Sequence, residues 1–62
     1  MKVLINLKGG ASSVSGDIPV KDEKELITFL KGKEFFLVKQ SPPKAYPAVV
    51  AKSSIGYIER KL

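Results

Sequence analysis

The side chains in this chain that could do chemistry are lysines, tyrosines, serines and carboxylates, because the sequence contains neither histidine nor cysteine. Those two absences remove the usual general base, the thiolate nucleophile and the commonest zinc ligands. The serines have no histidine to activate them, and Lys52 and Ser53, as neighbours on a strand, would point to opposite faces. We therefore predict a non-catalytic binding module, without a cofactor and without a metal site.

One acidic cluster has the residue types for acid–base chemistry or for binding a hard cation. It consists of Asp22, Glu23 and Glu25. The spacing of Asp22 and Glu25 also matches a capping box, in which the first residue opens a helix and the second lies in its first turn. A helix N-terminus accounts for these carboxylates without any chemistry, and we expect that structural role.

A second candidate motif is Gly9-Gly10 preceded by Lys8, which has the residue types of a phosphate-binding loop. A Walker loop needs a fixed Gly-x-x-x-x-Gly-Lys-Ser/Thr spacing, so that backbone N–H groups and the lysine converge on phosphate. Gly10 and Gly16 do not have that spacing, and no Gly-Lys-Ser follows. The glycine pair is therefore predicted to form a turn that continues through residues 11–13.

The net charge of +5 lies entirely in the second half of the chain. Residues 1–30 contain four lysines and four carboxylates, whereas residues 31–62 contain six lysines and Arg60 against Glu34 and Glu59. A basic surface attracts anions, and phosphate-bearing polymers are common anionic partners. Nucleic acid is therefore the leading predicted partner. One alternative is that the protein is an adaptor or inhibitor that binds an acidic protein. Another is that the lysines serve only solubility.

The predicted nucleic-acid-binding residues combine cations for phosphates with tyrosines for bases or sugars. They are Lys39, Lys44, Tyr46, Lys52, Tyr57, Arg60 and Lys61. Tyr46 has a structural alternative, which is packing over an open end of the sheet, and charges near the C-terminus also protect edge strands. Lysines and tyrosines on one shared face would favour nucleic acid, whereas an exposed apolar patch would favour a protein partner.

Hydrophobic patterning predicts the element order β-β-α-β-β-β. The first two strands cover residues 2–8 and 14–18, with Gly16 at a bend or bulge in the second strand. A single helix covers residues 22–31 and ends at Gly32, because a residue without a Cβ suits a left-handed cap. The apolar side of the helix is formed by Leu26, Ile27, Phe29 and Leu30.

The second half of the chain is predicted to contain three further strands. Residues 35–38 form a continuous apolar run, which is typical of a strand covered on both faces or nearly so, and we expect this strand to be central. Residues 41–47 form a proline-rich loop that cannot join a central sheet. Residues 48–52 then return antiparallel to the central strand, and a tight connection leads to a last strand at residues 55–60, with Gly56 at a close approach or bend.

This pattern resembles the small SH3-like and Sm-like barrels. The resemblance rests on residues 1–18, with a glycine-bearing turn and the bent strand Val14-Ser15-Gly16-Asp17-Ile18, and on residues 35–60, where Lys52-Ser53-Ser54 joins the last two strands. It implies an α+β chain that is mostly β, with a strongly curved antiparallel sheet or an SH3-like barrel. Sm-like proteins place their helix at the N-terminus, whereas here it follows the second strand. The residues with which Sm-like proteins bind RNA have no clear match in this sequence.

Sixty-two residues allow one domain, residues 1–62, whose small core leaves it marginally stable. Self-association would bury more apolar surface, so a homo-oligomer is a candidate assembly. The apolar start of the chain is too short for a signal peptide, and no stretch approaches the roughly 18 residues of a membrane span. Together with the absence of cysteine, these features favour a cytoplasmic protein that does not enter a membrane.

Overall fold

The computed structural model describes residues 1–10 and 12–61, which form a five-stranded antiparallel sheet with one helix against it. The elements are β1 (Lys2–Leu7), β2 (Ser13–Asp17), α1 (Glu23–Leu30), β3 (Phe35–Gln40), β4 (Ala48–Ala51) and β5 (Ile55–Arg60), with 3₁₀ turns at Lys8–Gly10 and Lys52–Ser54. The predicted order and the mostly-β class are confirmed. Ala11, which the sequence places in the turn after β1, lies outside the described residues.

The strands lie in the order β4-β3-β2-β1-β5, and every neighbouring pair is antiparallel. β5 returns to pair with β1, with Ile58 opposite Ile5, so β1 has a strand on each side. The prediction that residues 35–38 form the central strand is therefore wrong, because β2 is central. Within the described residues the sheet is open, since β4 and β5 are its two edges and are not neighbours.

The core lies on the face of the sheet that carries the helix. Alternation along β1 points Val3 and Ile5 into it, and neither side chain has exposed surface. The other buried core residues are Ile18, Val20, Phe36, Val38 and Val50. Val20 follows Pro19, outside any strand, and a tight turn carries it inward: its N–H donates to the Ile18 carbonyl at 2.8 Å.

The predicted residue, Asp22, caps the start of α1. The N–H of Glu25 donates to Asp22 Oδ1 at 2.8 Å, and Glu25 Oε1 accepts from the N–H of Lys21 at 3.3 Å. The reciprocal bond thus reaches one residue further back than in a standard capping box. At the other end, Gly32 has a φ of 72°, the left-handed conformation predicted for it. With eight residues, α1 is neither long enough nor apolar enough to cross a membrane.

Three helix residues pack on the core as predicted, and each is partly buried: Leu26, Phe29 and Leu30. The rings of Phe29 and Phe36 meet edge to face, with centroids 6.0 Å apart. Ile27 is 65% exposed, so its assignment to the apolar side is wrong. A helix this short presents only a narrow stripe to a sheet, and position 27 lies outside that stripe.

β2 and β3 pair only where Gly16 and Asp17 lie opposite Gln40 and Lys39. Gly16 permits this approach, because a Cβ there would lie 2.8 Å from Val38 Cγ1 and would overlap the backbone of Lys39. The register between β1 and β2 continues through Gly16 without a shift, so of the bend or bulge predicted there the bulge is absent. The glycine instead serves the close approach of two backbones.

The register shift in this sheet lies between β1 and β5, at Asn6 and Leu7. A Cβ on Gly56 would lie 3.1 Å from the Asn6 carbonyl oxygen. The predicted close approach at Gly56 is thereby confirmed.

Only one face of β3 is covered. Phe36 and Val38 are buried, whereas Phe35 is 61% exposed and Leu37 is 57% exposed. The prediction of a strand covered on both faces is therefore wrong. Residues 35–38 are apolar throughout, but the helix covers only the core side of the strand.

Candidate binding surface on the β3–β4 hairpin

The predicted site residues do not form one surface. Four of them lie on the β3–β4 hairpin or directly beside it: Lys39, Lys44, Tyr46 and Lys52. Tyr57 and Lys61 lie on β5 and just after it, and Arg60 is directed to the helix. The β3–β4 hairpin therefore carries the largest group of predicted site residues. The residues around that group determine what it can bind.

The side of the hairpin that points away from the core is apolar at its centre. We call this surface the hairpin face and define it by Phe35, Leu37, Lys39 and Val49. Leu37 lies directly opposite Val49, which is 66% exposed. Phe35 lies opposite Ala51, whose small side chain leaves most of the ring uncovered. Adjoining exposed apolar side chains of this kind are typical of interaction surfaces.

Two lysines lie beside Phe35. Lys33 and Lys52 line the same surface depression as Phe35, together with Glu34 and Ser53. The N–H of Lys52 donates to the Glu34 carbonyl at 2.8 Å, which holds the end of β4 against the start of β3. Lys33 Nζ also lies 4.7 Å from the centroid of the Phe29 ring, within cation–π range. The backbone pairing therefore keeps Lys52 beside the start of β3, and Lys33 lies at the same depression with its ammonium over the Phe29 ring.

The opposite end of the hairpin carries Lys39, Lys44 and Tyr46 around a second depression. Gln40 Nε2 donates to the Tyr46 carbonyl oxygen at 3.1 Å and so fastens the proline-rich loop to the end of β3. Tyr46 is 79% exposed, so the alternative that it packs over an open end of the sheet is wrong. Its ring is accessible to a ligand.

A groove adjoins the hairpin face on the side of the helix. Its lining contains three phenylalanines, two prolines and Leu37, and its charged members are Lys33, Lys39 and Asp17. Asp17 lies opposite Lys39 in the β2–β3 pairing, so one carboxylate faces the groove beside the lysine. The groove is therefore mainly apolar and has a net positive rim.

The β5 residues belong to other surfaces. Tyr57 is 60% exposed and lines a polar depression with Asn6 and the Lys8–Gly10 turn. Lys61 lies beside Lys2 in a depression next to β2. Neither depression includes a residue of the hairpin face.

Arg60 is engaged in an ion pair that links β5 to α1. Its Nη1 lies 2.8 Å from Glu23 Oε1, and both side chains remain about half exposed or more. An exposed pair of this kind contributes at most about 1 kcal/mol to the free energy of unfolding. The contact nevertheless directs the guanidinium to the helix side, away from the hairpin face.

The expected capping role of Asp22 and Glu25 is confirmed, and the third carboxylate of the acidic cluster, Glu23, has a partner that was not predicted. Asp22 accepts from the Glu25 N–H, Glu25 accepts from the Lys21 N–H, and Glu23 pairs with Arg60. Within residues 1–10 and 12–61, no group of three or more potential metal-ligating side chains comes together.

Sequence reasoning missed three residues of the hairpin face, Phe35, Leu37 and Val49, and also Lys33 beside it. A signal for two of them was present, because residues 35 and 37 of any strand share a face opposite residues 36 and 38. An apolar run does not show whether its second face is covered.

No protein-family model matches this chain, and comparisons with curated proteins and with solved structures find no significant match.

Proposed function

We propose that this protein is a non-catalytic module that binds nucleic acid through the hairpin face and the lysines around it. The observation that carries the proposal is the placement of four lysines from four different segments about one surface. They are Lys33 before β3, Lys39 within β3, Lys44 in the proline-rich loop and Lys52 after β4. Lysines distributed in this way can follow a phosphate backbone across a face.

The local charge also favours an anionic ligand. The depressions and the groove contain these four lysines against two carboxylates, Glu34 and Asp17. Four phosphate contacts make a small footprint, so the affinity should be modest and should depend strongly on salt. Tyr57, Lys61 and Arg60 are left out of this interface because they lie elsewhere in the fold.

We also propose that the sheet is an open variant of the SH3-like barrel. Two features support this: β1 pairs with both β2 and β5, and a three-residue 3₁₀ turn joins β4 to β5. A closed barrel would require β4 to pair with β5 as well. Such a likeness of fold does not supply a function by itself.

An acidic protein partner is the second candidate, and one observation favours it. Leu37 and Val49 are exposed aliphatic residues directly opposite each other on neighbouring strands, and such side chains offer nothing to a phosphate. A partner with an apolar segment flanked by carboxylates would match the apolar centre and the lysine rim.

Fluorescence anisotropy with labelled single-stranded and duplex oligonucleotides over a salt series tests the proposal. If four lysines contact phosphates, the association constant should fall about 50- to 150-fold between about 50 and 200 mM salt. The double variant Lys44→Glu/Lys52→Glu should abolish most binding at low salt. The fold should survive, because exposed charges contribute little to stability.

The matched control is Lys21→Glu/Lys24→Glu, which changes the net charge equally on exposed residues at the start of the helix. This control should bind the oligonucleotides clearly more tightly than Lys44→Glu/Lys52→Glu does. Equal losses in both variants would show that only net charge matters and that the hairpin is not a site. If no oligonucleotide binds at low salt, nucleic-acid binding is refuted. A partner captured from nuclease-treated lysate and lost in Leu37→Ser/Val49→Ser would then support the protein-binding alternative.

A further inference from the structure

Phe35 is placed as a stacking platform. Its ring is mostly exposed on a strand of a regular hairpin, and the residue opposite it, Ala51, is too small to cover it. Lys33 and Lys52 line the same depression as the ring. An exposed aromatic ring on a sheet, with lysines at the same depression, is a combination that binds an unpaired base and its flanking phosphates.

A second accessible ring, Tyr46, lies at the other end of the same hairpin. Its carbonyl oxygen is bonded to Gln40, the last residue of β3. Phe35 is five residues before Gln40, so the two rings are on the order of 17 Å apart along the strand. Lys39 and Lys44 lie beside Tyr46 and repeat the arrangement of Lys33 and Lys52 beside Phe35.

The chemistry of the surface selects between single and double strands. In a duplex the faces of the bases are stacked on one another, so neither ring could reach them. Reading a groove would require donors and acceptors, but the centre of the hairpin face consists of Phe35, Leu37 and Val49. The helix could not read a groove either, because its first turn carries two carboxylates, Glu23 and Glu25, which phosphates would repel.

We infer that the hairpin face binds single-stranded DNA or RNA, with one base stacked on Phe35, another on Tyr46, and the paired lysines at each end on phosphates. The inference rests on the proposed nucleic-acid binding and specifies the class of ligand. Stacking accepts any base, so recognition should depend little on sequence. The span between the rings predicts a footprint on the order of four nucleotides.

The test compares Phe35 variants in anisotropy titrations with a labelled ten-nucleotide oligothymidylate, a mixed-sequence single strand and a duplex of equal length. Phe35→Ala should weaken single-strand binding by about 5- to 150-fold. Phe35→Leu should weaken single-strand binding to a similar extent, because leucine keeps the apolar bulk but has no aromatic face. Phe35→Tyr should bind single strands as tightly as the parent protein does. The control is Ile27→Ala, since Ile27 is equally exposed but lies on the helix.

Each outcome decides a different claim. If duplex and single strand bind equally and Phe35→Ala changes neither, the single-strand inference is overturned while nucleic-acid binding stands. If Phe35→Leu binds like the parent and only Phe35→Ala is weak, apolar contact and not stacking holds the ligand, which also overturns it. If no oligonucleotide binds at low salt, the proposed function fails together with this inference. Circular dichroism of each variant verifies that the fold is retained.

Discussion

Gly16 is the residue at which β2 and β3 approach each other so closely that a Cβ would not fit. It lies opposite Val3 on one side and Gln40 on the other, so it joins the β1–β2–β5 part of the sheet to the hairpin. Any side chain here would meet Val38 and the Lys39 backbone. The position of the hairpin face relative to the core therefore depends on the absence of a Cβ at residue 16.

Gly16→Ala is expected to lower the free energy of unfolding by about 3 kcal/mol, because the added methyl group forces β2 and β3 apart. Chemical denaturation measures the change. Ser15→Ala is the control, since it alters the adjacent residue of the same strand without adding bulk. A Gly16→Ala protein as stable as the control would show that β3 does not approach β2 this closely.

At the scale of elements, α1 is held by its caps and by one narrow stripe of contact. Leu26, Phe29 and Leu30 pack on the core, yet no residue of the helix is buried. A helix of eight residues is too short to persist alone, so these partial contacts and the cap at Asp22 must keep it in place. Individual truncations on the stripe should therefore be tolerated better than truncations in the sheet.

Leu30→Ala should destabilise the protein by about 1–2 kcal/mol, less than the roughly 2–5 kcal/mol of a fully buried leucine, because Leu30 is only partly buried. Ile27→Ala should change stability by less than about 0.5 kcal/mol, since that side chain points to solvent. Urea unfolding of both variants measures the difference. A larger loss for Ile27→Ala would mean that the orientation of the helix is wrong.

At the scale of the whole molecule, stability should be greatest where a strand has a partner on each side. β1 pairs with β2 at five positions and with β5 at five positions, whereas β3 pairs with β2 at only two positions. Hence β1 should be the last part of the sheet to open, and the hairpin that carries the binding face should open earlier.

Native-state amide hydrogen exchange followed by NMR tests this order. The amides of Val3, Leu4 and Ile5 should exchange more slowly than those of Phe36 and Val38. The reverse order would contradict the pairing of β5 with β1. Addition of an oligonucleotide should slow exchange in the hairpin more than in β1, since the ligand binds and stabilises the folded hairpin.

The sequence by itself determined the elements whose signals are local. Asp22 and Glu25 predict the start of the helix, Gly32 predicts its end, and hydrophobic patterning predicts where the strands lie. These features act within a few residues of the chain, through capping bonds, left-handed backbone and the two-residue repeat of a strand, so they do not depend on the rest of the fold.

Only the tertiary structure decided which strands are neighbours and which faces remain exposed. The pairing of β5 with β1 moved residues 35–38 from the predicted centre of the sheet to a place beside its edge. It also brought Arg60 to Glu23 and separated Tyr57 from Tyr46. The apolar pattern of a strand is compatible with several strand orders. The sequence also does not show which partner a charged side chain will pair with. The exposure of Phe35 therefore depends on what the rest of the chain leaves uncovered.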